Sequence, residues 1–531
     1  MKGRNTAIHG GQTGDESKGK VIDTIIASFL EEFEQTGQAL PLHVVRFQAG
    51  NNAGHTLLIK KKDCPTAIAD QVTLATHLFP SGVVFPNVQL NISRGVIIDF
   101  EQLAHENMDI NYRLGIKAEE RLWIDSSAII CLIYHRVLDF AQNMADSGRP
   151  VQETGTTGRG IGPAYLSEVD RTALHPYLFL GDKSRFRAAV ERSLETITRT
   201  IVGVYGIGTS SFQDILLEIS RKERRGKKVL LDANFLTEEQ LDYTRFIDRA
   251  AFDQGRVAFS VDTIVDEYWA HGQRYRAKII DMRQRLRYIQ SQGGVLLFEG
   301  ANGANLDKRW GIQDGRGCLT SSHTLLSEIP LSTGVQLEDI PERLLVFKIY
   351  GTKVGWHIYK TEIQPGEAAV GERDLTEVLK EVEFGATTGR QRMVGWFDLV
   401  EGRTYVHLNN PTGFVISKLD MLSGSDIVKV CTHYVDQQDG SRYTELPADP
   451  DIIRRCHPEY RVFSGWKDDI RTCQTYEQLP EQARVVVQFI HTELQSVIPT
   501  AQLKYLSVTP GRGLIDVPSL TPSSEERGDR R

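Results

Sequence analysis

Residues 10 to 20 read Gly10-Gly11-Gln12-Thr13-Gly14-Asp15-Glu16-Ser17-Lys18-Gly19-Lys20, and Val21 follows. Gly14 to Lys20 satisfies the G-x4-G-K half of a phosphate-binding loop. The next residue is ordinarily Ser or Thr, because that hydroxyl binds the magnesium of the nucleotide. Val21 has no oxygen to offer. Asp15, inside the loop, is the residue able to take over: a carboxylate beside a triphosphate can ligate the metal, take a proton from a second substrate, or do both. The pattern points away from a plain NTPase and towards an enzyme that phosphorylates a small molecule.

The flanks of this loop set the fold class. Thr6-Ala7-Ile8-His9 reads as a short strand, and Val21, Ile22, Ile25, Ile26, Phe29, Leu30 and Phe33 recur at helical spacing, predicting a helix from Lys18 to about Gln35. Strand, loop and helix in that order is the layout that presents backbone N–H groups to phosphate. His43 to Gln48 reads as a second strand, with further apolar runs at 295–298, 344–347 and 414–416. Buried strands that deliver short polar loops at their carboxyl ends predict an α/β fold, a central, mostly parallel sheet flanked by helices. Residues 1–517 are expected to form one large domain with a helical insertion at about 172–293, where charged helical patterns dominate. Residues 518–531, rich in Ser, Glu, Arg and Pro, are expected to be a disordered tail.

Composition narrows the setting. The chain has 531 residues, an apolar fraction of 40% and a formal charge of -7, so it can bury a large core and carries no global field for nucleic acid or membrane. Six scattered cysteines, none in a C-x2-C pair, argue against zinc and against a disulfide framework. No run approaches the ~18 apolar residues of a membrane span, and no apolar signal core precedes Gly10. A soluble, cytoplasmic protein is expected. The basic run Arg221 to Lys228 reads as a solvated helix face in preference to an RNA or phosphate contact.

Five other loops have the residue types that chemistry needs. Asn51-Asn52-Ala53-Gly54-His55-Thr56 ends a strand with amides and an imidazole, which suits either donors beside a reacting oxygen or a plain turn. Gly155 to Tyr165 combines four glycines, Thr156, Thr157 and Arg159, a composition suited to a second phosphate, with Arg171 on the next stretch. In Phe298-Glu299-Gly300-Ala301-Asn302-Gly303, with Thr320 downstream, Asn302 is either a partner for an amide-like base edge or a helix N-cap. Gly385-Ala386-Thr387-Thr388-Gly389-Arg390-Gln391-Arg392 places two arginines on a Gly-Thr loop, shaped to clamp a carboxylate. Ser417-Lys418-Leu419-Asp420 follows a buried strand and resembles the N-K-x-D element of guanine binders.

In order and spacing from Gly10 to about Arg512, these loops resemble adenylosuccinate synthetases, GTP-dependent ligases with a P-loop-NTPase-like fold that join L-aspartate to IMP. The HLFPSG segment from His77 to Gly82 and Gly395-Trp396 add to the resemblance. It implies that Asp15 takes the N1 proton of IMP and binds Mg2+ together with the Gly54 carbonyl. His55 would act as acid and Lys18 would assist while O6 attacks the γ-phosphate of GTP. The aspartate amine would then displace phosphate from the 6-phosphoryl intermediate. For GTP, the resemblance implicates Gly14, Glu16, Ser17, Gly19, Lys20, Thr56 and Arg392, with Lys418, Leu419 and Asp420 reading the base and the turn at Ser507, Val508 and Thr509 closing over it. IMP would meet Asn52, Ala53, Thr157, Asn302, Thr320 and Arg390, with Arg171 supplied to the partner subunit of a homodimer. Aspartate would be gripped by Ala386, Thr387, Thr388, Gly389 and Arg390.

Some positions depart from the family pattern. Thr13 stands where Trp is usual, Ser17 where Gly is usual, and Asn302 where a Gln touches the hypoxanthine edge; residues 356–360 also differ, and the chain is longer between Arg171 and Asn302. The departures leave open a related ligase for another purine nucleotide, such as the phage type acting on a 2-amino purine deoxynucleotide. A catalytically silent nucleotide-binding protein on the same fold is the reading from a different class; intact Asp15, Lys18 and His55 speak against it.

Overall fold

A computed structural model of the chain describes residues 4–37, 41–145, 157–314, 319–354, 358–384 and 391–520. At its centre is a ten-stranded sheet. In spatial order the strands are Ile515–Asp516, Gln502–Leu506, Gly413–Ser417, Glu342–Lys348, Thr6–Gly10, Val295–Glu299, Leu42–Arg46, Gln89–Ile92, Leu122–Asp125 and Ile279–Ile280. All neighbours pair parallel except the first two, which are antiparallel. The expected α/β architecture is therefore what the chain adopts.

Burial on both faces accounts for the near-continuous apolar runs in these strands. Ile8, Val44, Leu297, Leu344 and Val346 point into one hydrophobic core. Their immediate neighbours Ala7, Val45, Leu296, Phe298, Leu345 and Phe347 point into a second core on the opposite face. That is the period-two alternation of a strand, apolar in both phases because helices cover both sides. The first helix, Lys18–Thr36, packs Val21, Ile22, Ile25 and Ile26 into the first core, as their spacing predicts.

Parallel pairing has one consequence for function. The carboxyl ends of the strands ending at Gly10, Arg46, Glu299, Lys348, Ser417 and Leu506 all emerge along the same edge of the sheet, so the loops that follow them converge there. Two smaller units complete that edge. An antiparallel hairpin, His55–Lys60 with Gln71–Thr76, carries His55, and a five-stranded sheet that includes Met393–Asp398 carries Arg392 just before its strand.

Residues 172–293 are mostly helical, including Lys183–Arg199, Thr209–Gly226, Val261–Arg274 and Met282–Ser291. The basic run there is largely a solvated face: exposed Arg221 pairs with half-buried Glu218 at 3.0 Å, and exposed Lys228 with exposed Asp232 at 2.8 Å. Glu223, in the same run, points inward and is 1% exposed. Among the described residues no helix is long and apolar enough to cross a membrane, and the described cysteines are unpaired. Residues 521–531 of the expected tail lie outside the described residues.

Candidate active site

The converging loops enclose a cleft of about 1060 Å³. Its floor is the loop from Gly10 to Lys20. Gly14, Asp15 and Ser17 take left-handed backbone conformations, at φ 98°, 59° and 67°. Glycine adopts that region freely and Asp tolerates it, whereas Ser there carries strain of about 1–2 kcal/mol. The turn nevertheless lets the loop wrap around the Glu16 side chain. Glu16 Oε1 accepts from the backbone N–H of Gly14 at 2.7 Å and of Gln12 at 3.1 Å, and its Oε2 pairs with Lys18 Nζ at 2.5 Å. Burial alone would raise the Glu16 carboxyl, but Lys18 outweighs it and the net shift is downward. Glu16 is 0% exposed and does not line the cleft; it braces the loop from below.

Asp15 opens to the cleft. Its carboxylate is ion-paired with the guanidinium of Arg392, which also pairs with buried Glu383. Glu383 is a hub: Lys418 Nζ lies 2.6 Å away, the Tyr350 hydroxyl donates at 2.6 Å, and Lys348 stands at 3.7 Å. Burial opposes ionisation of Glu383, and Lys348, Lys418 and Arg392 together hold it well below the usual carboxylate range. Burial also pushes the Lys348 amine down to about 7, against the pull of Glu383. One carboxylate thus ties the expected base-reading lysine to the arginine that faces Asp15.

His55 stands on the hairpin opposite. Its Nδ1 is 2.5 Å from Glu299 Oε1, and Glu299 is fixed by the Ser81 N–H at 2.7 Å and the Ser81 hydroxyl at 2.9 Å. The hydrogen bond to Glu299 sets the tautomer, with Nδ1–H directed at the carboxylate. His55 Nε2 is left buried without a hydrogen-bond partner among the described residues, on a residue that lines the cleft. Burial lowers the imidazole below its ordinary value, opposed chiefly by Glu299.

The other expected residues assemble around the same space. Lys18, Gly19, Lys20, Asn52, Ala53, Gly54 and Thr56 all line it, as do Thr157, Asn302 and Thr320. Lys20 Nζ donates to Ser507 Oγ at 2.5 Å and to the Thr509 carbonyl, drawing the 507–510 turn onto the loop. Lys418 and Asp420 border this end, whereas the Leu419 and Val508 side chains lie in the core beneath it. Gly303 is backed so closely against the loop that a Cβ there would sit 2.4 Å from the Gly14 nitrogen.

Asn302 is not a helix N-cap; that position is taken by Gly303, before the short turn Ala304–Leu306. Asn302 has φ 60°, which Asn tolerates better than Gln. Its Oδ1 is buried without a partner among the described residues. Thr13 fills its position by donating its hydroxyl to the Thr352 carbonyl. Of the altered 356–360 segment, Tyr359 lies against Gly395 and Lys360 donates to the Arg454 carbonyl at 2.9 Å. Arg171 is exposed at the end of the helix Ile161–Val169 and does not line the cleft of its own chain. Ala386, Thr387, Thr388, Gly389 and Arg390 fall outside the described residues.

Sequence reasoning gave no role to Glu299, Glu383 or Lys348, nor to Asp139, Gln142 and Asn143, which line the cleft from the helix Ile133–Ala145. Strand ends carried a usable signal for Glu299 and Lys348. The three helical residues had none, since polar side chains on an amphipathic helix read as solvated.

Comparison with known proteins was decisive. The model of the adenylosuccinate synthetase family matches residues 7–247 and 237–514. The chain belongs to the adenylosuccinate synthetase family. An adenylosuccinate synthetase of Geotalea daltonii is 33% identical over 485 residues, covering 91% of this chain and 92% of the relative. The adenylosuccinate synthetase of Desulfatibacillum aliphaticivorans is 31% identical over 511 residues, covering 96% and 97%. In fold, the chain is similar to the solved structure of a fully ligated adenylosuccinate synthetase from Plasmodium falciparum, with a TM-score of 0.74 at 24% identity, covering 97% of this chain and all of that one. As a member of the adenylosuccinate synthetase family, the chain is a ligase of purine biosynthesis.

Proposed function

We propose that this chain is an active, GTP-dependent adenylosuccinate synthase that joins L-aspartate to IMP, giving adenylosuccinate, GDP and inorganic phosphate in the cytoplasm. The observation that carries the reading is the pairing of two groups in one cleft: Asp15, an accessible carboxylate, and His55, whose free Nε2 is aimed by Glu299.

Asp15 takes the N1 proton of the purine, and electron density moves to O6, which attacks the γ-phosphorus of GTP as the bond to the β–γ bridging oxygen breaks. His55, drawn towards its charged form by Glu299 and by the triphosphate, hydrogen-bonds the phosphoryl oxygens through Nε2, with Lys18 and Lys20 adding positive charge. The amine of aspartate then attacks C6 and phosphate leaves with O6, a good leaving group where the free oxygen was a poor one. Arg392 serves the γ-phosphate once it has let go of Asp15. Lys418 and Asp420 read guanine.

Mg2+ fits the residues present. The Asp15 side chain is 35% exposed and Gly54 lines the same cleft. No cluster of three or more His, Cys, Asp or Glu side chains occurs among the described residues. One carboxylate and one carbonyl, completed by phosphates and water, is the donor set magnesium prefers. When bound, it neutralises charge on the β/γ-oxygens.

Arg171, exposed beside the exposed Leu166 and Val169, suits a residue lent to a second copy in a homodimer. The unpartnered Oδ1 of Asn302 favours a second reading, acceptance from a 2-amino purine. One assay separates the readings: purified protein with GTP, magnesium and aspartate is offered IMP, dIMP, GMP and dGMP separately, following phosphate and succinylated product. Product with IMP is expected; product only with GMP or dGMP supports the second reading, and no turnover with any supports a silent protein.

A further inference from the structure

The charged helical segment holds a turn at the rim of the cleft, chiefly through Glu223. Glu223, on the helix Thr209–Gly226, is 1% exposed, and its Oε1 receives both Arg136 Nη2 at 2.6 Å and Arg159 Nη1 at 2.5 Å. Arg136 belongs to the helix Ile133–Ala145 and is itself buried, stacked over Tyr243 at 5.2 Å. Arg159 belongs to the Gly-Thr loop whose Thr157 lines the cleft. Burial would push the Glu223 carboxyl up, but Arg159 and Arg136 outweigh it and hold it charged.

The turn that carries Arg159 needs holding. Gly158 and Gly160 both adopt left-handed conformations, at φ 67° and 74°. Gly158 lies against Phe140, where a Cβ would sit 2.7 Å from the ring, and Lys222 Nζ lies over that ring 4.5 Å from its centroid. The Gly160 N–H donates to Asp139 Oδ2 at 3.0 Å, and the Arg159 carbonyl accepts from Cys131 Sγ at 3.4 Å. Consecutive residues of one helix, Lys222 and Glu223, therefore grip the turn on its ring and on its guanidinium. An arginine beside a phosphate site has two stable choices, the incoming anion or a protein carboxylate. Here the carboxylate has it, so Arg159 orders the turn while Thr157 faces the ligand.

We propose that Glu223 is a positioning residue for the acceptor nucleotide: by clamping Arg159 and Arg136 it fixes the Thr157–Gly160 turn in the shape that receives the nucleotide's 5′-phosphate. This rests on the reading that the Thr157 loop binds that phosphate, and it gives the charged helical segment a part in substrate recognition. Glu223 itself touches no substrate. Its effect is confined to the acceptor because, among the described residues, its carboxylate is ion-paired with Arg159 of this turn and Arg136 of the helix behind it, away from Lys18, Lys20 and Lys418.

The test is steady-state kinetics of the full chain with Glu223→Gln and Glu223→Asp. Loss of a charge-assisted anchor raises the KM for IMP about tenfold or more, with kcat at saturating IMP largely kept and the KM for GTP and aspartate within about twofold. Glu223→Asp, which keeps the charge one methylene short, recovers part of the loss. An unchanged KM for IMP in Glu223→Gln, or equal rises in all three KM values alongside a lowered Tm, overturns the proposal. If Glu223→Gln does not fold, hydrogen exchange of the 158–160 amides in Glu223→Asp decides: faster exchange that IMP restores supports the clamp, and unaltered exchange and KM overturn it. A wild-type chain that ignores IMP sinks the functional reading instead, and the comparison is then made on whichever purine nucleotide it accepts, since the turn reads phosphate and not base.

Discussion

The carboxylate of Asp15 and the guanidinium of Arg392 are ion-paired across the cleft, and Arg392 is at the same time held by buried Glu383. The carboxylate proposed as general base is thus occupied by the arginine expected to bind nucleotide phosphate. On the proposed reading a triphosphate competes for Arg392, and what it would release is the proton acceptor. Arrival of the phosphoryl donor and availability of the proposed base would then be coupled through one side chain.

Asp15→Asn is expected to abolish turnover, by ~10³-fold or more, because the amide cannot accept the N1 proton. GTP binding persists in this variant, measured by equilibrium titration, since Arg392 no longer has a competing carboxylate. Arg392→Met raises the KM for GTP by about 10- to 100-fold, and Arg392→Lys only partly corrects it, lacking the planar fork.

Glu299→Gln leaves His55 in place but removes the carboxylate that fixes its tautomer and favours its charged form. kcat should fall by about 10²–10⁴ with the KM for GTP and IMP little changed, as expected of a group that acts on the transition state. A large rise in either KM with kcat intact would assign Glu299 to binding instead.

Ser17 sits at φ 67° with no side-chain cap to the helix it precedes. Ser17→Gly removes left-handed strain at some cost in unfolded-chain entropy, for a net gain of about 0.5–1 kcal/mol. Thermal or denaturant unfolding reads this directly, and activity should be kept.

Burial pushes the Lys20 amine down to about 8, with Asp420 opposing. Below that pH the amine is cationic and neutralises phosphate; as pH rises through it, the proton is lost and the attraction with it. kcat/KM for GTP, which reports the free enzyme, should therefore fall above about pH 8. kcat at saturating GTP holds to higher pH, because bound phosphate raises the Lys20 value. Lys20→Arg removes this alkaline limb, since a guanidinium stays charged.

What was legible in the sequence follows from range. The phosphate loop and its helix were readable because 3.6-residue periodicity and glycine spacing are local signals, and the helix Lys18–Thr36 ends within a residue of expectation. The parallel sheet followed from apolar runs that end in polar loops. Glu299 was visible only as a letter beside Asn302, because its partner His55 lies 244 positions away and no spacing rule links them. The Glu383 hub was hidden for the same reason: its cations come from three separate strand ends. The N-cap alternative for Asn302 needed backbone angles to dismiss. Glu223 sits in a run that reads as solvated, and only the packing of Thr209–Gly226 against Ile133–Ala145 turns it inward.

The central claim is that O6 of the purine is phosphorylated before aspartate displaces it. It is tested most directly by turnover of IMP labelled with oxygen-18 at O6, with mass analysis of the inorganic phosphate released. The account predicts that the label appears in phosphate, one atom for each adenylosuccinate formed, and that none forms with Asp15→Asn. Adenylosuccinate produced with unlabelled phosphate, the oxygen leaving as water, would contradict it.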